Sequence, residues 1–214
     1  MGKRIVTAAQ MKAREQAANE AGLLFIQMME NAGRAAYAAL KAHRPVPGRL
    51  LVVSGKGNNG GDGFVIARVA AKNGWQVQVL LAEGQPRTPD AVTNLALLHD
   101  LPVEVVSSPE KVQPGADAVV DALYGTGFHG ELRPAGAVAC ALMARERTNG
   151  AFVLAVDLPS GVNADDGSCA AGAVRADATV TFDSYKPLHF APESSALCGE
   201  ITLADIGIVA ALAE

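Results

Sequence analysis

Cysteine is scarce. The chain has three, Cys140, Cys169 and Cys198, an odd number with no C-x-x-C pair. That excludes a disulfide framework and a thiolate zinc site, and it fits a reducing compartment. Each cysteine is then expected to be a small buried apolar residue. Charge of one sign is also missing: Lys+Arg 18 against Asp+Glu 22 leaves a net charge of −4. A mildly acidic chain has no broad basic footprint, which excludes nucleic acid and an anionic membrane as partners. No stretch approaches the roughly 20 apolar residues of a membrane helix. The opening MGKRIVTAAQMKAREQ turns charged and helical without the apolar run of a signal peptide. The expected location is the cytoplasm. No two histidines have metal-ligand spacing, and no G-x-S-x-G elbow, P-loop lysine or Cys/His nucleophile pattern is present.

What is present is a globular balance, 50% hydrophobic against 19% charged residues, without repeat, low-complexity tract or linker. One domain, 1–214, is expected, whether standalone or the first part of a longer bifunctional chain. Thr7 followed by Gln10 reads as a capping box opening a helix that runs to Ala21. A second helix, Leu24 to His43, ends at the Pro45–Gly48 breaker. Its face of Leu24, Met28, Ala32, Ala35 and Ala39 suggests close contact with another element or a subunit boundary. Apolar runs at 50–53, 76–81, 103–106, 117–123, 151–156, 178–182 and 200–203 read as strands. The glycine-dense stretch Ser54 to Gly63 reads as a loop, with helices over Phe64–Asn73, Asn94–Asp100 (starting near Thr88 or Asp90) and Pro134–Arg147. Strands apolar on both faces, alternating with helices, predict an α/β fold: a Rossmann-like three-layer α/β/α sandwich with a mostly parallel central sheet.

Ligands of such sheets sit beyond the carboxyl ends of the strands, and three of those ends carry polar glycine-rich turns. The first, Gly55-Lys56-Gly57-Asn58-Asn59-Gly60, matches G-x-G-x-x-G, and Glu83 ends the next strand where a ribose-binding acid would stand. Asn58 and Asn59 exceed what a dinucleotide turn needs and could line an anion or sugar-phosphate pocket. Asp62 is either an N-cap of the following helix or part of that pocket. The second end is Asp121, with Gly125-Thr126-Gly127 nearby, and the third is Asp157-Leu158-Pro159-Ser160-Gly161. His43 and His99 read as helix-end and exposed residues, and His189 as a loop contact.

Together the motifs Gly57–Gly63, Asp121-Ala122-Leu123 with Gly125-Thr126-Gly127, and Asp157–Gly161 resemble the NAD(P)H-hydrate epimerase family, the YjeF N-terminal-type domain. The likeness extends from Met11-Lys12 and Met29–Gly33 to Ala204–Gly207. It implies an isomerase that interconverts the R and S epimers of hydrated NADH and NADPH (NADHX and NADPHX) at nicotinamide C6. A separate ADP- or ATP-dependent dehydratase, in some relatives fused, would repair the S form. The resemblance further implies substrate binding by Asn58, Asn59, Gly60, Gly61 and Asp62, by Gly125, Thr126, Gly127, Phe128, His129, Gly130 and Glu131, and by Asp157. It also implies one potassium ion held by Asn59, Asp121 and Ser160. Asp157 is the expected proton carrier. Relatives often carry a lysine where this chain has Phe128-His129-Gly130, so His129 would take over its role; Lys186 is a second candidate for meeting an anionic substrate. Relatives often form homodimers, and the Ala-rich second helix offers an interface. Two other readings stay open: an NAD(P)-dependent oxidoreductase resting on G-x-G-x-x-G and Glu83, and a nucleotide- or partner-binding module without turnover.

Overall fold

The computed structural model describes residues 3–213. Seven strands form one sheet: β1 (Arg49–Ser54), β2 (Gln76–Leu81), β3 (Val103–Val106), β4 (Ala118–Ala122), β5 (Phe152–Val156), β6 (Ala178–Phe182) and β7 (Glu200–Ala204). Their order is β3-β2-β1-β4-β5-β6-β7, and every pairing is parallel. The expected sandwich is therefore present, with the sheet parallel throughout. Central strands are buried along nearly their whole length, which is why they read as continuous apolar runs.

Alternation along each strand splits the core in two. Leu50, Val52, Val77, Val79, Val120 and Leu154 point to one face. There they meet α2 (Phe25–His43), α3 (Asn58–Lys72) and α4 (Pro89–Ala96). Leu51, Val53, Leu80, Val119 and Val153 point to the other, under α5 (Pro134–Thr148). Each such side chain contributes roughly 1.5–3 kcal/mol of burial.

Helix α1 (Ala8–Glu20) begins as its sequence predicts: Gln10 N–H donates to Thr7 Oγ1, and Thr7 N–H to Gln10 Oε1. Helix α2 packs on a stripe that shares Met28 and Ala32 with the expected one but is turned away from Leu24. Leu24 is exposed and Ala35 and Ala39 are half-buried; Met28, Met29, Ala32, Gly33, Ala36, Tyr37 and Leu40 are covered. A Cβ on Gly33 would come within 2.5 Å of Val65, so the small residues serve the contact between α2 and α3 inside one chain.

The largest departure from expectation is α3, which begins at Asn58 and not at Phe64. Three glycines in the first turns cost about 1 kcal/mol each relative to alanine, so local propensity argues for a loop. Tertiary packing wins, because each fits where no side chain could. An added Cβ would lie 2.1 Å from the Gly55 carbonyl at Gly60, 2.5 Å from Met29 Sδ at Gly61, and 2.7 Å from Ala122 at Gly63. Asp62 is thus a residue inside the helix; Gly57 is the N-cap, which overturns the cap reading. Helix α4 stops at Ala96, short of the expected Asp100, and two short helices, α6 (Pro192–Cys198) and α7 (Ile208–Ala211), have no counterpart in the sequence reading. Cys140 and Cys198 are buried as expected, whereas Cys169 is exposed. Among the described residues no helix is long and apolar enough to cross a membrane.

Candidate active site

Strand order reverses between β1 and β4, so the segments leaving their carboxyl ends diverge and open a crevice. A cleft of about 620 Å³ lies there. Its wall includes Gly57, Asn58, Asn59 and Asp62 after β1, Gly125 to His129 and Glu131 after β4, and Asp157 after β5. Gly60, Gly61 and Gly130 are not on the wall. Asp121 and Ser160 lie behind it, both fully buried. A second hollow of 670 Å³ at the amino ends of β1–β3 has its polar groups spent internally, Gln78 on Glu104 and Arg49 on the Gly115 carbonyl.

Behind the wall, oxygen-rich groups interlock. Asp121 Oδ1 accepts from Ser160 Oγ at 2.6 Å, and Oδ2 from Ser160 N–H at 2.7 Å. Ser160 Oγ accepts from Tyr124 N–H at 2.9 Å, and the Asn59 amide donates to the Tyr124 carbonyl at 3.1 Å. Burial raises the Asp121 carboxyl to about 6, against the pull of the Ser160 and Leu123 donors. No lysine, arginine or histidine among the described residues pairs with it. A buried carboxylate that meets only neutral groups, the Ser160 hydroxyl and the Ser160 and Leu123 N–H groups, and lacks a counter-charge among the described residues suits a hard monovalent cation, so Asn59, Asp121 and Ser160 fit the potassium ion the resemblance implies. Among the described residues no three His, Cys, Asp or Glu side chains are grouped for a transition metal.

The third strand end holds the most constrained group. Asp157 has φ +67°, a left-handed conformation rare for a residue with a Cβ. Its Oδ1 accepts from Thr181 Oγ1 at 2.9 Å and from Lys186 Nζ at 2.5 Å. Lys186 Nζ also donates to Thr181 Oγ1 at 2.9 Å and to the Phe182 carbonyl at 3.3 Å, so a side chain only 1% exposed has all three donors used. His189 ties the two together: Nδ1 accepts from Lys186 N–H at 3.0 Å, leaving Nε2–H to donate to the Asp157 carbonyl at 3.3 Å. Burial lowers His189 to about 4, so it is neutral near pH 7. Lys186 is thus the partner of Asp157 and not a free cation awaiting an anion.

At the other end of the cleft Glu83 accepts from Tyr124 Oη at 2.7 Å and Arg133 at 3.0 Å, with Lys56 at 3.9 Å. Burial and Glu83 together raise the Tyr124 phenol to about 12. Glu83 lines the cleft with both carboxylate oxygens already accepting from Tyr124 and Arg133, which weakens the ribose contact on which the oxidoreductase reading leaned. His129 is exposed and accepts from the Asn163 amide at 3.1 Å. It lines the cleft but pairs with no carboxylate among the described residues.

Sequence reasoning missed Glu15, which reaches the cleft from α1. It lies in no motif, and an acid in an Ala- and Gln-rich helix gives no sign of its own. The glycines of the motif also divide in a way spacing does not reveal. Gly55 and Gly60 abut backbone, with an added Cβ 1.9 Å from the Leu123 carbonyl and 2.1 Å from the Gly55 carbonyl. Gly57 and Gly127 meet nothing within 4 Å and border the cleft.

Residues 26–188 match the family described as YjeF-related protein N-terminus. The NAD(P)H-hydrate epimerase of Pirellula staleyi is 40% identical over 202 residues, spanning 90% of this chain and 87% of that one. The bifunctional NAD(P)H-hydrate repair enzyme Nnr of Coxiella burnetii is 37% identical over 93% of this chain, which spans only 40% of that longer protein. The crystal structure of yeast ynu0, YNL200c, superposes with a TM-score of 0.74 at 22% identity, covering 94% of this chain and 87% of that chain, a likeness of fold. The family match spans the three strand-end turns that build the cleft, and the chain belongs to the YjeF-related N-terminal family.

Proposed function

We propose that this chain is an NAD(P)H-hydrate epimerase that interconverts the R and S epimers of NADHX and NADPHX at C6 of the nicotinamide ring. The observation that carries the reading is the Asp157–Lys186 pair, fixed by Thr181 and His189, at the edge of a cleft walled by the asparagine–glycine turn. C6 of the hydrated ring bears both nitrogen and hydroxyl, a hemiaminal whose configuration is lost without a strong base. Opening the C6–N1 bond to an aldehyde, or loss of water to an iminium ion, flattens the centre. Either route needs a carboxylate that holds or moves a proton at the hydroxyl, and Asp157 is that group. Asn58, Asn59, Asp62, the turn Gly125–Glu131 and the N–H groups at the start of α3 bind and orient the dinucleotide. Incubating the protein with one separated NADHX epimer and following equilibration by chromatography tests the reading. Accelerated exchange is expected, whereas hydride transfer or binding without exchange would replace it.

Asn59, Asp121 and Ser160 would hold potassium, which supplies the counter-charge that Asp121 lacks and stiffens the two loops. Ion binding to the folded state alone stabilises by about 1.4 kcal/mol at tenfold excess over the dissociation constant, about 3–6 °C in thermal midpoint for a chain this size. Thermal unfolding in potassium against choline chloride at equal ionic strength should give that rise, and Asp121→Asn should remove it. An equal rise in the variant would place the ion elsewhere.

The functional partner in this reading is an ADP- or ATP-dependent dehydratase, consistent with bifunctional relatives in which this chain matches two-fifths of the length. A single domain over 1–214, a cytoplasmic setting and a homodimer complete the proposal.

A further inference from the structure

We propose that Glu15 is a second catalytic residue of the epimerisation, working as the proton-transfer partner of Asp157 from the α1 side of the cleft. The inference rests on the epimerase reading. Glu15 lines the cleft and also a neighbouring hollow of about 590 Å³ that shares Asn58, Thr126, Gly127 and His129 with it. A dinucleotide filling both hollows must pass this carboxyl. Among the described residues Glu15, like Asp62 at the start of α3, has neither hydrogen bond nor ion pair through its side chain, unlike Asp121, Asp157, Asp183 and Glu83. Yet its helix is pinned beside it. Arg14 binds Asp183 through Nε at 2.8 Å and Nη2 at 3.0 Å, and Asp183 also accepts from Ser184 Oγ at 2.6 Å. The amino end of α1 is held by Asp165, which accepts from Ala8 N–H at 2.6 Å. A rigid mount carrying a carboxyl that no other described residue engages is what proton transfer requires.

The surrounding charges set its protonation. Burial, then Asp157 and Asp183, push Glu15 up to about 7 against Lys186 and Lys12. Burial with Asp157 and Glu15 holds Asp62 well above the usual carboxylate range. Lys186 Nζ forms the ion pair with Asp157 Oδ1. Glu15 therefore gains and loses a proton near neutrality in the same cleft as the Asp157–Lys186 pair.

The step balances by the route through an iminium ion. Protonated Glu15 gives its proton to the C6 hydroxyl, the C6–O bond breaks with its electron pair leaving as water, and the N1 lone pair forms the C6=N1 bond. Water then adds at the opposite face, its oxygen bonding C6 and its proton passing to Asp157. The reverse epimerisation runs with the two roles exchanged, and solvent resets the carboxyls between turnovers.

Glu15→Gln keeps the shape and removes the titrating proton. With NADHX epimers as substrate, kcat should fall about 100-fold, KM should stay within about threefold, and the thermal midpoint should hold. In the wild type, exchange that needs Glu15 as acid declines as pH rises through about 7. That limb should vanish in Glu15→Gln and persist, at reduced rate, in Glu15→Asp. Unchanged kcat with the limb intact overturns the proposal while leaving the epimerase reading in place. Parallel losses in KM and thermal midpoint reduce Glu15 to a structural role and also overturn it. Wild-type protein that fails to speed exchange removes the epimerase reading, and this proposal with it.

Discussion

Asp157→Asn lowers R/S exchange by two to four orders of magnitude, to the level of the uncatalysed reaction, and the protein remains folded. Asparagine is the least disruptive choice, because it tolerates the left-handed backbone that Asp157 adopts at φ +67°. It keeps an acceptor for Thr181 Oγ1 and Lys186 Nζ but gives up the charge and the capacity to carry a proton. The expected side effect is on stability. Lys186 is buried, and removing its anion leaves a charge without compensation, which costs about 3–5 kcal/mol where a buried pair is broken. Adding Lys186→Met to Asp157→Asn should therefore recover much of the thermal midpoint and none of the exchange. Chromatographic equilibration with thermal unfolding on the single and double variants separates the two effects. Exchange at the wild-type rate in Asp157→Asn would remove this residue from the chemistry.

Gly60→Ala and Gly57→Ala, three residues apart in one motif, have opposite outcomes. At Gly60 the methyl would stand 2.1 Å from the Gly55 carbonyl, a backbone atom that cannot swing aside. Overpacking costs about 1–3 kcal/mol and occasionally more, and a clash with backbone belongs at the top of that range, a fall of about 6–12 °C in thermal midpoint for a chain of this length. At Gly57 nothing lies within 4 Å and φ is −98°, which alanine adopts freely. Gly57→Ala should unfold within about 1 °C of the wild type while its affinity for a dinucleotide drops, since the methyl stands where the cleft is open. Thermal scans and a dinucleotide titration decide both. A Gly60→Ala protein as stable as the parent would mean that the turn is looser than its geometry states, and unchanged affinity in Gly57→Ala would put the ligand elsewhere.

The parallel sheet was legible because its strands are buried on both faces, so apolar runs such as 50–53 and 76–81 carry their own signal. The opening of α1 was legible because the capping of Thr7 by Gln10 is a local matter of four residues. The start of α3 was not, since three glycines speak against helix locally and only contacts with Met29, Gly55 and Ala122 reverse that preference. The same blindness hid the true stripe of α2, where helical spacing permits two adjacent faces and the position of Val65 selects one.

Within the site, residue type and chain position were enough to single out Asn59, Asp121, Asp157 and Ser160 at strand ends, because a doubly wound sheet puts every such end on one rim. The amino-acid order alone thus determined the fold class, the rim that bears the site and the motifs that border it. The tertiary structure decided which groups are spent and which are free. Among the described residues Lys186 is consumed by Asp157, Glu83 by Tyr124 and Arg133, Asp121 pairs with no lysine, arginine or histidine, and Glu15, like Asp62, lines the cleft without a side-chain partner. Those assignments depend on distances between residues as much as 142 positions apart, as for Glu15 and Asp157, and on burial that shifts a carboxyl by its surroundings. Neither quantity is written in any local stretch of chain.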